Sequence, residues 1–259
     1  MTLQGKVAIV TGAGGGGSGR ASARRLASDG AWVIVSDIDV QGGLETVRLI
    51  TAAGGQATFL RADVGVESEV RALVAFAETT YGGLDIMVNN AGSYYPKVLE
   101  YWVETMQCNL FGVLYGTLHA VEAMRRRGGG AIVNLGSTSG LGFGPANSPA
   151  YDAAKAAVIR LTGGLAGLHE QYRIRVNCLV PHWIATPEVS AYVLALTPEQ
   201  RRQRQVPDVL LRPAEIADAV VQLATDERLA GRVMVCWGGQ PRRLLPYADR
   251  GYALLEDLP

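Results

Sequence analysis

The chain has 259 residues, 48% of them hydrophobic and 19% charged, with 32 glycines and a formal net charge of zero. That composition excludes a disordered chain, and zero net charge without a basic–aromatic patch argues against a nucleic-acid partner. The length suits one large domain or two small ones.

Short apolar runs alternate with longer helical patterns. Strands are predicted at Lys6–Thr11, Trp32–Ser36, Ala57–Arg61, Asp85–Asn89, Ala131–Leu135, Ile174–Leu179 and Arg232–Cys236. Helices are predicted at Gly19–Asp29, Gly43–Ala53, Glu67–Thr80, Ala150–His169 and Pro213–Thr225, with one or two more within Val98–Arg126. In the third of these, Val70, Leu73, Val74 and Ala77 follow the 3.6-residue period. Arg125–Arg127 lies just before Gly128 and reads as a helix C-terminus complementing its dipole. The strands are continuously apolar, as when both sheet faces are covered. The alternation therefore predicts an α/β fold, a doubly wound parallel sheet flanked by helices on both faces. There is no repeat and no linker, so residues 1–259 read as a single domain. Two stretches interrupt the pattern: a Gly/Ser/Pro-rich loop at 137–149, and an excursion at 186–207 that reads as a lid over a site.

Three cysteines, Cys108, Cys178 and Cys236, are widely spaced without a CxxC pair. Neither a disulfide framework nor a metal site is expected, and a reducing cytoplasm fits. No apolar run reaches the roughly 18 residues of a membrane span. The first strand starts too early to leave room for a signal peptide.

Thr11–Gly19 links the first strand to the first helix and holds six glycines. Glycine permits a tight turn and close approach of a pyrophosphate, and the helix N-terminus adds N–H groups and positive dipole. Asp37 closes the second strand, twenty residues after Gly17. A carboxylate there accepts both ribose hydroxyls of NAD and repels the 2′-phosphate of NADP, so NAD is the expected cofactor. Asp63-Val64 ends the third strand, and Asn89-Asn90-Ala91-Gly92 ends the fourth. Both fall on the same carboxyl edge, where such sheets bind ligands. Tyr151 and Lys155, four apart at the start of an Ala-rich helix, share a face. An ammonium beside a phenol favours the phenolate and draws its pKa down from about 10 toward the working range of acid–base catalysis.

In this order the glycine turn, Asn89–Gly92, Asn109, Ser137, Tyr151 with Lys155, and Pro181 with Thr186 resemble the short-chain dehydrogenase/reductase family, over Lys6 to about Gly239. The resemblance implies a Rossmann-type domain with a seven-stranded parallel sheet, and hydride transfer between a nicotinamide cofactor and a secondary alcohol or ketone. It implies that Tyr151 is the general acid–base, that Lys155 lowers its pKa and binds the nicotinamide ribose, and that Ser137 hydrogen-bonds the substrate oxygen. Asn109 would hold a proton-relay water. The implied cofactor set is Gly12, Gly16, Gly17, Ser18, Gly19, Asp37, Asp63, Val64, Asn89, Ala91, Gly92, Tyr151, Lys155, Pro181, Ile184 and Thr186. It also implies a homotetramer or homodimer, the helix after Tyr151 packing on its two-fold mate through Gly163, Gly164 and Gly167.

The chain departs from the family pattern in four places. The glycine turn is one residue longer, so any of Gly14–Gly17 is open as the pyrophosphate contact. The interval from Ser137 to Tyr151 is also one residue longer, which admits Ser139 in place of Ser137. His182 stands after Pro181 where glycine is usual, and residues 240–259 extend beyond the common core. Tyr94, Phe143, His182, Trp183 and Tyr192 are candidate pocket residues for an apolar ketone or secondary alcohol. Arg201, Arg202 and Arg204 read as a solvated face. A 3-oxoacyl thioester reductase of the same family and a non-catalytic cofactor-binding sensor are the rival readings.

Overall fold

The computed structural model describes residues 3–94, 100–142 and 148–246. The first strand, β1 (Val7–Thr11), shows why a continuous apolar run is needed: all five residues are buried. Ala8 and Val10 point into one core and Val7 and Ile9 into the other, following the strand period of two.

The chain continues through α1 (Ser18–Ser28), β2 (Trp32–Asp37), α2 (Val40–Ala52), β3 (Gln56–Arg61), α3 (Glu67–Tyr81) and β4 (Ile86–Asn89). Next come α4 (Trp102–Met106), a π-helical turn (Gln107–Phe111), α5 (Gly112–Arg127), β5 (Gly130–Leu135) and a 3-10 turn (Thr138–Gly140). The last part holds α6 (Pro149–Gly164), α7 (Leu168–Tyr172), β6 (Ile174–Pro181), α8 (Pro187–Ala195), α9 (Pro198–Gln203), α10 (Pro213–Thr225), β7 (Val233–Cys236) and β8 (Arg243–Leu244). The strand order is β3-β2-β1-β4-β5-β6-β7-β8. Strands β1 to β7 are all parallel, and β8 pairs antiparallel with β7.

Helices α1 and α10 cover one face through Leu26, Ile216, Val220 and Leu223. On the other, α3 and α5 bring Leu73, Val74, Ala120 and Met124 against Ile9, Ile34, Met87 and Ile132. Each such large side chain, fully buried, stabilises by about 1.5–3 kcal/mol. The order reverses between β1 and β4, and that switch point at the carboxyl edge is where a crevice opens.

Three expectations change. The sheet has eight strands rather than seven, because the start of the 240–259 extension folds back on the last parallel strand, with Leu245 N–H donating to Val233 O at 2.9 Å. The helix expected over Ala150–His169 stops at Gly164 and restarts as α7. Interior glycine costs about 1 kcal/mol against alanine, and Gly163, Gly164 and Gly167 fall together at the break. The 186–207 excursion carries two helices, each opened by a threonine cap and a proline in its first turn: Thr186–Pro187 for α8 and Thr197–Pro198 for α9.

Candidate active site

The glycine turn is shaped by steric limits at two positions. Gly12 takes a left-handed φ of +65°, and a Cβ on it would come within 2.7 Å of Ala91 Cα. A Cβ on Gly19 would lie 2.1 Å from Gly12 O, so no side chain fits where the turn enters α1.

The extra residue of the turn is absorbed at Gly14. Its N–H donates to Asp37 Oδ2 at 2.7 Å, and its carbonyl accepts from Arg20 Nη2. Arg20 also donates to Gly42 O at 3.1 Å and, through Nε, to Thr46 Oγ1 at 2.8 Å. Gly14 is thus tied to the ends of β2 and α2, while Gly15, Gly16 and Gly17 front a cleft of about 490 Å³. Arg20 was not foreseen as part of this region. The signal was a cation in the first turn of a helix, where it opposes the dipole and needs carbonyl partners.

The same cleft is lined by Gly12, Ser18, Gly19, Asp37, Asp63, Val64, Ala91, Gly92 and Thr186, with Gly16 and Gly17 in its floor. Asp37 Oδ1 accepts from Asp39 N–H at 3.0 Å. A carboxylate offers about four acceptor positions, so two remain after Gly14 and Asp39 for ribose hydroxyls. Asp63 Oδ1 accepts from Gly65 N–H at 2.9 Å. Gly16 and Gly17 lie under the root of the lid: a Cβ on either would be 3.0 Å from Pro187 Cγ or Thr186 Cγ2.

Asn89 needs correction. Its side chain turns into the core and donates to Asn134 Oδ1 at 2.8 Å and Thr117 Oγ1 at 3.3 Å. The neighbouring Asn90 lines the cleft instead. Asn90 Nδ2 donates to Thr11 O at 2.9 Å and Gly12 O at 3.1 Å, and its Oδ1 accepts from Ser18 Oγ at 2.7 Å. Alternation along β4 points one asparagine inward and leaves the next at the edge. Pro181 and Ile184 are outside the cleft lining: Pro181 ends β6 paired with Cys236, and Ile184 bridges to Leu211.

Behind Gly92 and Ser93 of the cleft lining stand Asn109 and Lys155, with Tyr151 and Ser137 beside them. Lys155 is 3% exposed, donates from Nζ to Leu135 O at 2.8 Å, and lies 5.6 Å from the centre of the Tyr151 ring. Ser137 is near enough to the Tyr151 phenol to offset part of the upward shift in its pKa. Ser139 settles behind Ser137, its N–H and Oγ donating to Ser137 Oγ at 3.2 and 3.1 Å. That leaves the Ser137 hydroxyl hydrogen for another acceptor. A Cβ on Gly140 would lie 2.6 Å from Ala156 N, so the 3-10 turn rests directly on α6 beside Lys155.

Asn109 is fully buried in the π-helical turn, a form frequent at functional sites. Its Nδ2 donates to Ser93 O at 2.8 Å and Thr105 O at 3.0 Å, and its Oδ1 accepts from Ser93 N–H at 3.3 Å. A Cβ on Gly92 would sit 2.9 Å from Asn109 Oδ1 and 3.5 Å from Lys155 Nζ. Gly92 therefore keeps a passage clear between the two.

The electrostatics correct the expectation from the Tyr–Lys spacing. Burial pushes the Tyr151 phenol up to about 12, against a smaller downward effect from Ser137. Burial also brings the Lys155 ammonium down to about 8. Desolvation disfavours the charged form of both groups and is the largest cause of each shift.

On the substrate side, Tyr94 packs edge-on against Tyr151, with ring centres 5.3 Å apart. Trp183 stacks on Tyr192 at 6.2 Å and 18°. His182 stacks on Trp237 at 4.0 Å. Its Nδ1 is buried without a hydrogen-bond partner among the described residues, and burial lowers its pKa. Phe143 lies outside the described residues. Among the described residues no helix is long and apolar enough to cross a membrane.

A glycine turn entering a helix, an acid at the end of the second strand and a half-buried Tyr beside a buried Lys on the helix after the fifth strand together define a nicotinamide-dependent oxidoreductase of the doubly wound class. The family model described as short chain dehydrogenase matches residues 6–194. The chain belongs to the short-chain dehydrogenase/reductase family and is an oxidoreductase acting on CH–OH groups. It is 37% identical to cis-4-hydroxycyclohexanecarboxylate dehydrogenase of Sinomonas cyclohexanicum over 242 residues, covering 90% of this chain and 96% of the relative. It is 35% identical to cyclohexanol dehydrogenase of an Acinetobacter species over 232 residues, or 86% and 88% of the two chains. A solved 7α-hydroxysteroid dehydrogenase, complexed with NADH and 7-oxo glycochenodeoxycholic acid, superposes with a TM-score of 0.83 at 32% identity, covering 92% of this chain and 95% of that one.

Proposed function

We propose that the protein is an NAD-dependent dehydrogenase that interconverts a secondary alcohol and a ketone, with a cyclic substrate as the first class to try. The observation that carries this is that Lys155 and Asn109 are buried, with Ser137 and Tyr151 half-buried, beside Gly92 and Ser93 of a cleft that Asp37 also lines. The cyclic preference draws on the cyclohexane and steroid substrates of the relatives.

The residues fit the cofactor. The cradle at Gly12 and Gly19 has no room for a Cβ, Gly15–Gly17 with the N-terminus of α1 suit a pyrophosphate, and Asp37 retains acceptor capacity for ribose. Bound there, the nicotinamide supplies or takes up the hydride. In reduction Tyr151 gives its phenolic proton to the carbonyl oxygen as charge develops there. Ser137 donates a second hydrogen bond to that oxygen, stabilising the alkoxide-like charge. Lys155 anchors the ribose side and, with Asn109, relays the replacement proton to Tyr151. In oxidation the same groups run in reverse, with Tyr151 as base.

Three cysteines free of disulfides accord with a cytoplasmic enzyme. Gly164 and Gly167 have nothing within 4 Å of an added Cβ, which leaves α6 and the chain beyond it open for a second copy in a homodimer or homotetramer.

The test is absorbance at the reduced nicotinamide band with NAD and NADP against cyclic secondary alcohols and ketones. Turnover with NAD at higher kcat/KM than NADP is expected. Tyr151→Phe should lose about 10²–10⁴-fold in kcat while still binding NADH. A variant that keeps turnover refutes the role of Tyr151, and a wild type that binds NADH but turns over nothing favours the sensor reading.

A further inference from the structure

The lid contains two acids and three arginines between 186 and 207, and their pairing is uneven. Glu199 is held by Arg202 in an ion pair and by Gln203 Nε2 at 3.1 Å. Glu188 lines the cofactor cleft. Arg204 has no carboxylate within ion-pair distance among the described residues, and Arg201 Nε is buried without a hydrogen-bond partner among them.

Arg204 is nevertheless held in place. The chain turns back after α9 so that its guanidinium lies over the Tyr192 ring, 5.4 Å from the centre, and its Nη1 donates to Tyr192 Oη. Trp183, two residues past β6, stacks on the same tyrosine. Tyr94 packs edge-on against Tyr151, and the segment that carries Tyr192 starts at Thr186, which lines the cleft beside Gly17; Tyr94 also feels the charges of Tyr192 and Arg204. Two aromatic pairs thus stand on this side, Tyr94 with the Tyr151 phenol and Trp183 with Tyr192, which carries the Arg204 guanidinium. A guanidinium has five donors in a planar fork. One goes to Tyr192, and the remaining edge matches a carboxylate in bidentate fashion.

We propose that the substrate carries an anionic group, a carboxylate on a cyclic or aromatic body, and that Arg204 binds it while Tyr94, Trp183 and Tyr192 flank the body. The inference rests on Tyr151 being the proton-transfer residue, because that fixes which of the two pairs receives the carbonyl. The lid then closes on its substrate by charge as well as by apolar contact.

The matched probes are 4-acetylbenzoate and its methyl ester, reduced with NADH, with binding of each to the enzyme–NADH complex measured by calorimetry. The acid should have the lower KM and Kd by about 10-fold or more, the range of a charge-assisted contact. Arg204→Gln should bring the acid-to-ester ratio toward one, the loss falling on KM rather than kcat, and Arg204→Lys should recover part of it. Arg202→Gln, which breaks only the pair with Glu199, should leave the ratio as in the wild type. Equal values for acid and ester, or a ratio that Arg204→Gln does not move, overturns the proposal. If neither ketone turns over, the assignment of the reaction fails by itself; calorimetry still decides this one, since Arg204-dependent binding of the acid sustains it and absence of such binding ends it.

Discussion

The two halves of the carboxyl edge are built differently. Where β1, β2 and β4 end, nearly every polar group already has a partner: Thr11, Asn90, Ser18, Asp37 and Arg20 close a ring of hydrogen bonds mostly to backbone. After β6 ends come stacked rings, a half-buried histidine whose Nδ1 has no partner among the described residues, and Arg204, which among those residues has no carboxylate partner. The first half is braced before any ligand arrives, with the spare acceptor positions of Asp37 left over, and suits a constant cofactor. The second leaves donors unspent, which a substrate completes. Preorganised contacts cost no rearrangement at the moment of reaction, whereas unspent donors confer selectivity, since an analogue that leaves them unpaired is rejected.

The sharpest break of this contrast is at Gly19. Gly19→Ala drives a Cβ into Gly12 O, and loss of NADH affinity by about 100-fold or more is expected by fluorescence titration, well above the tenfold steps of single hydrogen bonds. If affinity survives, the turn is adaptable and the contrast dissolves. Arg20→Leu removes a brace without touching the cleft. NADH Kd should rise about 10- to 30-fold with kcat at saturation retained, and Arg20→Lys should recover only part because an ammonium cannot fork across Gly14, Gly42 and Thr46.

The pH dependence separates the two catalytic groups. Lysine is charged below its pKa, and burial moves that point from 10.5 to about 8; Tyr151, pushed up to about 12, stays protonated throughout. Reduction should therefore be level from pH 6 to 7.5 and fall by about 10-fold by pH 9 as the Lys155 charge is lost. Lys155→Arg, where it still turns over, should abolish that break, and an unchanged break assigns it elsewhere. The mildest effect lies on the substrate side: His182→Phe keeps the stack on Trp237 and removes Nδ1, so KM should shift by a few-fold with kcat held. No shift in KM for any ketone that turns over removes His182 from the pocket.

The same contrast explains what the sequence disclosed. The glycine turn, Asp37 and the Tyr151–Lys155 pair were legible because spacing along one strand–helix unit carries their meaning. The threonine–proline helix starts in the lid were legible in principle too, since Thr197 and Gln200 form a reciprocal cap, with bonds of 2.9 and 3.2 Å. Strand β8 was not, because two residues gain strand geometry only from β7 beside them. Nor was the choice between Asn89 and Asn90, which depends on where the strand stops. The direction of the Tyr151 shift required burial, which no local spacing reports.

The root of the lid has a kinetic consequence. Pro187 and Thr186 rest on Gly16 and Gly17, so one segment roofs the cofactor turn at its start and carries Tyr192 further along. The expected outcome is ordered binding, the dinucleotide before the second reactant, which product-inhibition patterns check. If opening of that segment limits turnover, the steady-state rate should fall as solvent viscosity rises, and a rate indifferent to viscosity places the limit at the chemical step.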